Sequence, residues 1–174
     1  MIVFDTYYKF NWSFIADNFI TLLFISTMFI VFFRYKSDKS LKIGAIVYAS
    51  SYILSNFAYS MVEVLPEGNL VGPEFFYLQW VMYEALTIIL CFMIHLTMKV
   101  QHHEGVVNAY RLSCINMASC LAMHYLAVFQ SLPEHWFYPV YSVTVNLTAL
   151  FIIFLFAFNI KWSVSECFSK YRLS

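Results

Sequence analysis

The chain has 174 residues, of which 61% are hydrophobic, 21% aromatic and 11% charged, and its ten basic and ten acidic side chains leave no net charge. Soluble domains carry about 25% charged residues, so this composition excludes an ordinary soluble enzyme, a disordered tail and a disulfide-framed secreted mini-protein. The missing positive field also excludes direct nucleic-acid binding. What remains is an all-α, polytopic membrane protein forming one domain over 1–174.

A helix needs about 20 apolar residues to cross roughly 30 Å of hydrocarbon. In chain order, five such runs are predicted, at about 12–33, 42–65, 74–98, 106–130 and 137–161. The breaks carry charge or turn residues: Arg34 to Lys39, Pro66 to Pro73, Lys99 to Gly105, and Ser131 to His135. Irregular backbone thus falls where water can satisfy it. The stretch before Trp12 has no basic leader or small-residue cleavage site, so it is not read as a cleavable signal peptide. Neither end carries a lipidation motif.

Orientation follows from Lys and Arg. On a five-span threading Arg34, Lys36, Lys39, Lys42, Lys99, Arg111, Lys161, Lys170 and Arg172 share one side, and Lys9 alone lies on the other. That bias predicts an inner-membrane protein with its N-terminus outside and its C-terminus in the cytoplasm. Asp5, Glu63, Glu67, Glu74 and Glu134 then form an acidic outer rim. Trp12, Trp80, Trp136 and Trp162, with Tyr77 and Tyr138 among the tyrosines, read as the aromatic belt of both interfaces.

The runs differ in bulk. The second and fourth hold the small residues, including the Ser51/Ser55 and Ala118/Ala122 pairs, and are expected to be central because small residues let backbones approach. The first and fifth are bulky and are expected to face lipid or another subunit.

A carboxylate at bilayer depth costs at least about 2.5–3.5 kcal/mol on insertion scales and marks a functional-site hypothesis. Glu84 is that residue, roughly 16 Å into the third run at the helical rise. Helical spacing aligns Tyr77, Glu84, Cys91 and His95 on one face, and Ser113, Asn116, Cys120 and His124 on a face of the fourth run. Asn56, Gln79 and Asn146 add polar groups within the other spans or at like depth. A Glu84–His124 pair in low dielectric would pass protons; the plainer expectation is that Glu84 ties helices together through neutral partners. Cys91, Cys114, Cys120 and Cys167 lack zinc spacing, and His102 and His103 are adjacent and point apart. No metal, cofactor or enzymatic motif is therefore expected.

Three classes of function are compatible with these residues. The favoured one is a homo-oligomeric assembly or sensor/effector subunit that works with a partner. Its cytoplasmic contacts to a protein or to anionic lipid would come from Arg34, Lys36, Lys39, Lys42, Lys99 and Arg111. The second is a proton- or ion-conducting channel or carrier using Glu84 and His124. The third is a membrane enzyme, disfavoured because Glu84, His95 and His124 lie at different depths. By size, hydropathy and helix number the chain resembles small multi-span components of bacterial phage-defence systems such as the membrane partner in Kiwa, and that resemblance implies a partner-dependent membrane role.

Overall fold

A computed structural model describes residues 12–64, 75–130 and 136–160, with side chains described from residue 18 and not for 59–64. Helix is the only regular structure among those residues. Five helices follow one another: α1 (Trp12–Arg34), α2 (Lys39–Val64), α3 (Phe76–Met98), α4 (Glu104–His124, prolonged by a wide π turn over Tyr125–Phe129) and α5 (Phe137–Ala157). The acidic rim, Lys9, His135 and the tail residues Lys161, Cys167, Lys170 and Arg172 lie outside the described side chains.

The helix ends have local causes. Asp38 accepts the backbone N–H of Leu41 at 2.9 Å and so caps the start of α2. Lys99 enters the left-handed region at φ 51°, and the Lys99 and Val100 amides bond back to Leu96 and His95, the pairing of a Schellman motif that closes α3. Asn159, at φ 52°, closes α5 in the same way through the Phe156 and Leu155 carbonyls. The Tyr35 hydroxyl takes the Ala157 carbonyl at 3.1 Å and ties α1 to that end. Pro139 stands in the first turn of α5, where an amide has no helical partner to lose.

Each helix packs on the next, and α5 returns to α1, so the five make a closed ring; α2 also leans in to touch α4 and α5. That inward lean depends on Gly44. A Cβ there would meet Val106 Cγ2 at 2.9 Å and the Phe156 ring at 3.2 Å. Phe156, Val106, Leu41, Val31 and Ile152 are fully buried around this contact. The bundle is therefore packed solid at the end where α1, α3 and α5 finish.

The fifth helix exposes Val140, Val143, Leu147, Phe151 and Phe154, as expected of a bulky outer span, and it also contributes to the core. It lies between α1 and α4 and buries Thr148, Ala149, Ile152, Ile153, Leu155, Phe156 and Ala157. Its bulk fills the space that Gly44 and the small side chains of α2 leave open. Of the small-residue pairs, Ala118 is exposed; Ser51 and Ser55 border a cavity, and Ser51 also hydrogen-bonds Thr87 across to α3.

Three helical segments, Phe76–Met98, Glu104–Phe129 and Phe137–Ala157, are long and apolar enough to cross a membrane, and Asn18–Arg34 is a shorter apolar stretch. Lys39 and Lys42 in the first turn of α2, and its serines further on, lower the hydropathy of that helix. Phe19, Phe33, Leu54, Met82, Leu86 and Phe151 are among the exposed large hydrophobics, whereas Asn116, Ser113 and His95 are buried. Bulky apolar groups outside and polar groups inside suit a surface that meets lipid.

Candidate functional site

Steps of three and four residues along α3 bring Tyr77, Trp80, Glu84, Thr87, Cys91 and His95 to the ring interior. The upper members of this stripe border a cavity of about 530 Å³, within the range of small-molecule sites. Tyr48, Ser55 and Asn56 of α2, Asn116 and Cys120 of α4, and Tyr138 and Tyr141 of α5 also line it, with Ile20 from α1. Its rim lies at the first turns of α3 and α5. Its floor lies near Thr87 and Ala149, roughly 16–18 Å in at 1.5 Å per residue.

Glu84 sits low in this cavity, half-buried. Its Oε1 accepts the Asn116 Nδ2 at 3.0 Å, and Ser113 gives a second hydrogen bond. Asn116, almost wholly buried, is oriented by its partners, because its Oδ1 accepts the Thr148 hydroxyl. Ser113 lies 3.1 Å from the Tyr48 hydroxyl. The carboxyl group thus joins α3, α4 and α5 through neutral donors, and Tyr48 extends the network to α2. Among the described residues no Lys, Arg or His forms an ion pair with it.

The upper walls are aromatic. Tyr77 and Tyr141 meet edge to face at 5.5 Å and 85°, Trp80 and Tyr83 at 5.9 Å and 85°, and Phe76 and Trp80 at 6.3 Å and 75°. Edge-to-face rings are favoured by their quadrupoles, and Phe76, Tyr77, Trp80, Tyr83 and Tyr141 all line the cavity.

Below the floor a second polar cluster closes the packed end. Cys91 neighbours the Tyr110 hydroxyl. The His95 Nδ1–H donates to the Cys91 carbonyl at 2.7 Å, which leaves Nε2 as acceptor for the Ser40 hydroxyl at 2.8 Å. Ser40 in turn accepts the His103 amide at 2.7 Å. His103 Nδ1 accepts the Gly105 amide at 3.0 Å at the start of α4, and its Nε2 faces Asp38 at 3.6 Å. His102 stacks on His95 at 4.3 Å and on Phe92 at 5.3 Å. Burial pushes the His102 imidazole below its ordinary value, and the neighbouring His95 adds to that push. The α3–α4 connection is latched onto the first turn of α2 by these contacts.

The residues singled out from sequence do not all converge. Tyr77, Glu84, Asn56 and Asn146 line the cavity; Asn56 donates to Thr21 at 2.6 Å and Asn146 to the Ser142 carbonyl at 2.8 Å. Gln79 is turned to the Tyr83 hydroxyl at 2.6 Å and is not in the lining. His124 is not in the lining either: it meets Phe129 edge-on at 5.7 Å, and its Nδ1 is buried without a hydrogen-bond partner. Among the described residues no hydrogen bond or ion pair joins it to Glu84. Met123, one position earlier, takes the buried place on α4.

The basic residues gather at the packed end. Lys42 donates to the Lys36 carbonyl at 2.6 Å and lies over Phe32, Arg34 lies over Tyr35 at 5.6 Å, and Arg111 donates to Asn108 at 2.8 Å. Lys39 and Lys99 stand beside them, at the start of α2 and just past the end of α3.

Sequence reasoning missed Thr148, Tyr141 and the Ser40–His95 bond. It also read Trp80 and Tyr138 only as belt residues, although both line the cavity. The available signal was the i, i+4 spacing that puts Trp80 on the Glu84 face. Among the described residues no group of three or more His, Cys, Asp or Glu side chains is placed to hold a metal ion. Comparison with protein-family models, curated proteins and solved structures finds no match.

Proposed function

We propose that this chain is a five-span protein of the inner (cytoplasmic) membrane, N-terminus outside and C-terminus in the cytoplasm, that works as a sensor subunit. On this reading the cavity admits a small molecule from the outer side. Its occupancy changes how α3, α4 and α5 pack around Glu84, and a partner at the basic cytoplasmic end reads that change. The protein works as a homo-oligomer in this scheme, and its exposed apolar faces meet lipid or a second copy. Basic residues near an anionic leaflet contribute about 1 kcal/mol each, so Arg34, Lys36, Lys39, Lys42, Lys99 and Arg111 serve lipid head groups or an acidic partner surface. The resemblance to phage-defence membrane components fits a partner-dependent role of this kind.

The observation that carries the reading is the cavity itself. A bundle built only for assembly has no reason to keep a cavity beside a half-buried carboxylate when its other end is closely packed around Gly44. The test is cysteine accessibility. Asn146→Cys is made with Cys114, Cys120 and Cys167 replaced by Ser, and vesicles of both orientations are treated with a charged, membrane-impermeant thiol reagent. Labelling from the outside alone is expected. Labelling from the cytoplasmic side alone reverses the topology, and labelling from neither side removes the accessible cavity.

A second reading, a proton relay, draws on one observation: polar groups continue below Glu84 through Ser113, Tyr48, Cys91, Tyr110 and His95 to Ser40. His124, the partner expected from sequence, lies off this line. Proton flux in liposomes that disappears in Glu84→Gln supports the relay. Absence of flux with folded wild-type protein removes it.

A further inference from the structure

The chemistry of the cavity wall narrows the ligand, given the reading above that the cavity takes one. We propose that the site binds an organic cation, an ammonium group held over tyrosine and tryptophan faces with the Glu84 carboxylate as counter-charge.

Charge points this way first. Among the described residues, Glu84 is the one acidic side chain in the lining, and no Lys, Arg or His accompanies it. Its hydrogen-bond partners, Asn116 and Ser113, are neutral. A carboxylate in a low-dielectric site repels anions and gains most from a bound positive charge. The rings point the same way. A cation within about 6 Å of a ring centroid is attracted by the negative face, most strongly by Trp, and cages of such rings are the recurrent receptor for alkylated ammonium groups. Here Tyr77 with Tyr141, and Trp80 with Tyr83, stand nearly perpendicular. Tyr138 lines the cavity too, so aromatic side chains of α3 and α5 border the same space as Glu84.

Other occupants fit less well. Ca²⁺ takes about six to eight oxygen ligands, and one carboxylate among rings does not supply them. A lipid tail would leave the Glu84 carboxylate facing hydrocarbon with no counter-charge. The volume of about 530 Å³ admits a compact amine carrying further substituents.

The test uses the full chain in nanodiscs and isothermal titration with tetramethylammonium, choline and benzyltrimethylammonium. The neutral and anionic comparators are 3,3-dimethylbutan-1-ol, the isostere of choline, and 3,3-dimethylbutanoate. At least one ammonium probe is expected to bind and both comparators to stay silent. Glu84→Gln, which keeps an acceptor for Asn116, is expected to weaken ammonium binding by about tenfold or more. Trp80→Leu weakens it too, and Tyr141→Phe, which keeps the ring face, leaves it within about twofold. Binding of the alcohol as tightly as choline overturns the cation assignment and leaves a cavity that selects by shape. Silence of all three ammonium probes, with Asn146→Cys still labelled from solution, overturns the cation assignment alone. Silence together with a cysteine that no reagent reaches overturns the cavity reading as well.

Discussion

Gly44→Ala probes the packing that shuts the bundle below the cavity. The new Cβ would stand 2.9 Å from Val106 Cγ2 and 3.2 Å from Phe156 Cζ, against an optimum of about 3.5–4.0 Å between carbons. The neighbours must therefore retreat by roughly 0.5–1 Å. Val106 is stiff about χ1 as a β-branched residue, and both it and Phe156 are fully buried, so neither has free space to enter. Overpacking of this kind costs about 1–3 kcal/mol. The higher helix propensity of Ala returns about 1 kcal/mol, which leaves a net loss of about 0–2 kcal/mol. With Val106→Ala in the background the closest clash is gone while the propensity gain remains. Gly44→Ala then becomes neutral or stabilising by up to about 1 kcal/mol. The coupling between the two sites falls inside the range of about 0.5–3 kcal/mol typical of residues in contact. Reversible unfolding in mixed micelles, followed by circular dichroism for the wild type, the two single mutants and the double mutant, measures it. Equal effects of Gly44→Ala in both backgrounds would falsify the close approach of α2 to α4 and α5.

Ser40→Ala strips the His95 Nε2 of its donor and the His103 amide of its acceptor. Each orphaned buried group costs about 1–3 kcal/mol, so the α3–α4 connection opens, and hydrogen exchange at the His103 amide reports it; unchanged protection there rules out the latch. His102 has its folded-state value pushed below the ordinary 6.5, by burial first and His95 second. The unfolded chain therefore takes up a proton more readily than the folded one, and stability rises with pH. The contribution is fully present above about pH 6.5 and is lost as pH falls below it. His102, which faces His95, Phe92 and Tyr110, is replaced by Phe to test this. Unfolding midpoints between pH 5 and 7.5 should slope less in His102→Phe, and an identical slope counts against the assignment. Cys114 is exposed and Cys91 fully buried. In a Cys120→Ser, Cys167→Ser background a membrane-permeant maleimide should label Cys114 in the native protein and Cys91 only after unfolding; equal labelling would contradict the burial of Cys91.

Helix existence was legible because it rests on local chemistry. Runs of about twenty apolar residues, broken by Arg34 to Lys39 or Lys99 to Gly105, make helices whatever they pack against. The α3 stripe was legible too, since three- and four-residue steps align Tyr77, Glu84, Cys91 and His95 on any straight helix. Partner choice was not legible. Depth along the helices put His124 within reach of Glu84, but depth says nothing about rotation. The ring arrangement turned Asn116 and Ser113 to the carboxyl group and left His124 beside Phe129. Bulk was equally ambiguous for α5. Large side chains suit both a lipid-facing helix and one that fills space beside a glycine, and α5 does both: Phe151 and Phe154 are exposed while Phe156 packs against Gly44.

By itself the sequence determined that this is a helical, lipid-suited protein, where its helices begin and end, and that Glu84 is the carboxylate to explain, because hydropathy, capping and helical period act over a few residues. Tertiary structure alone decided that the described helices pack closely at the basic end and leave a cavity toward the other, bordered by Glu84, Trp80 and several tyrosines. Those facts depend on which helix faces which. Contacts such as Gly44 with Phe156 or Asn116 with Thr148 join residues far apart in the chain, where no local period connects them.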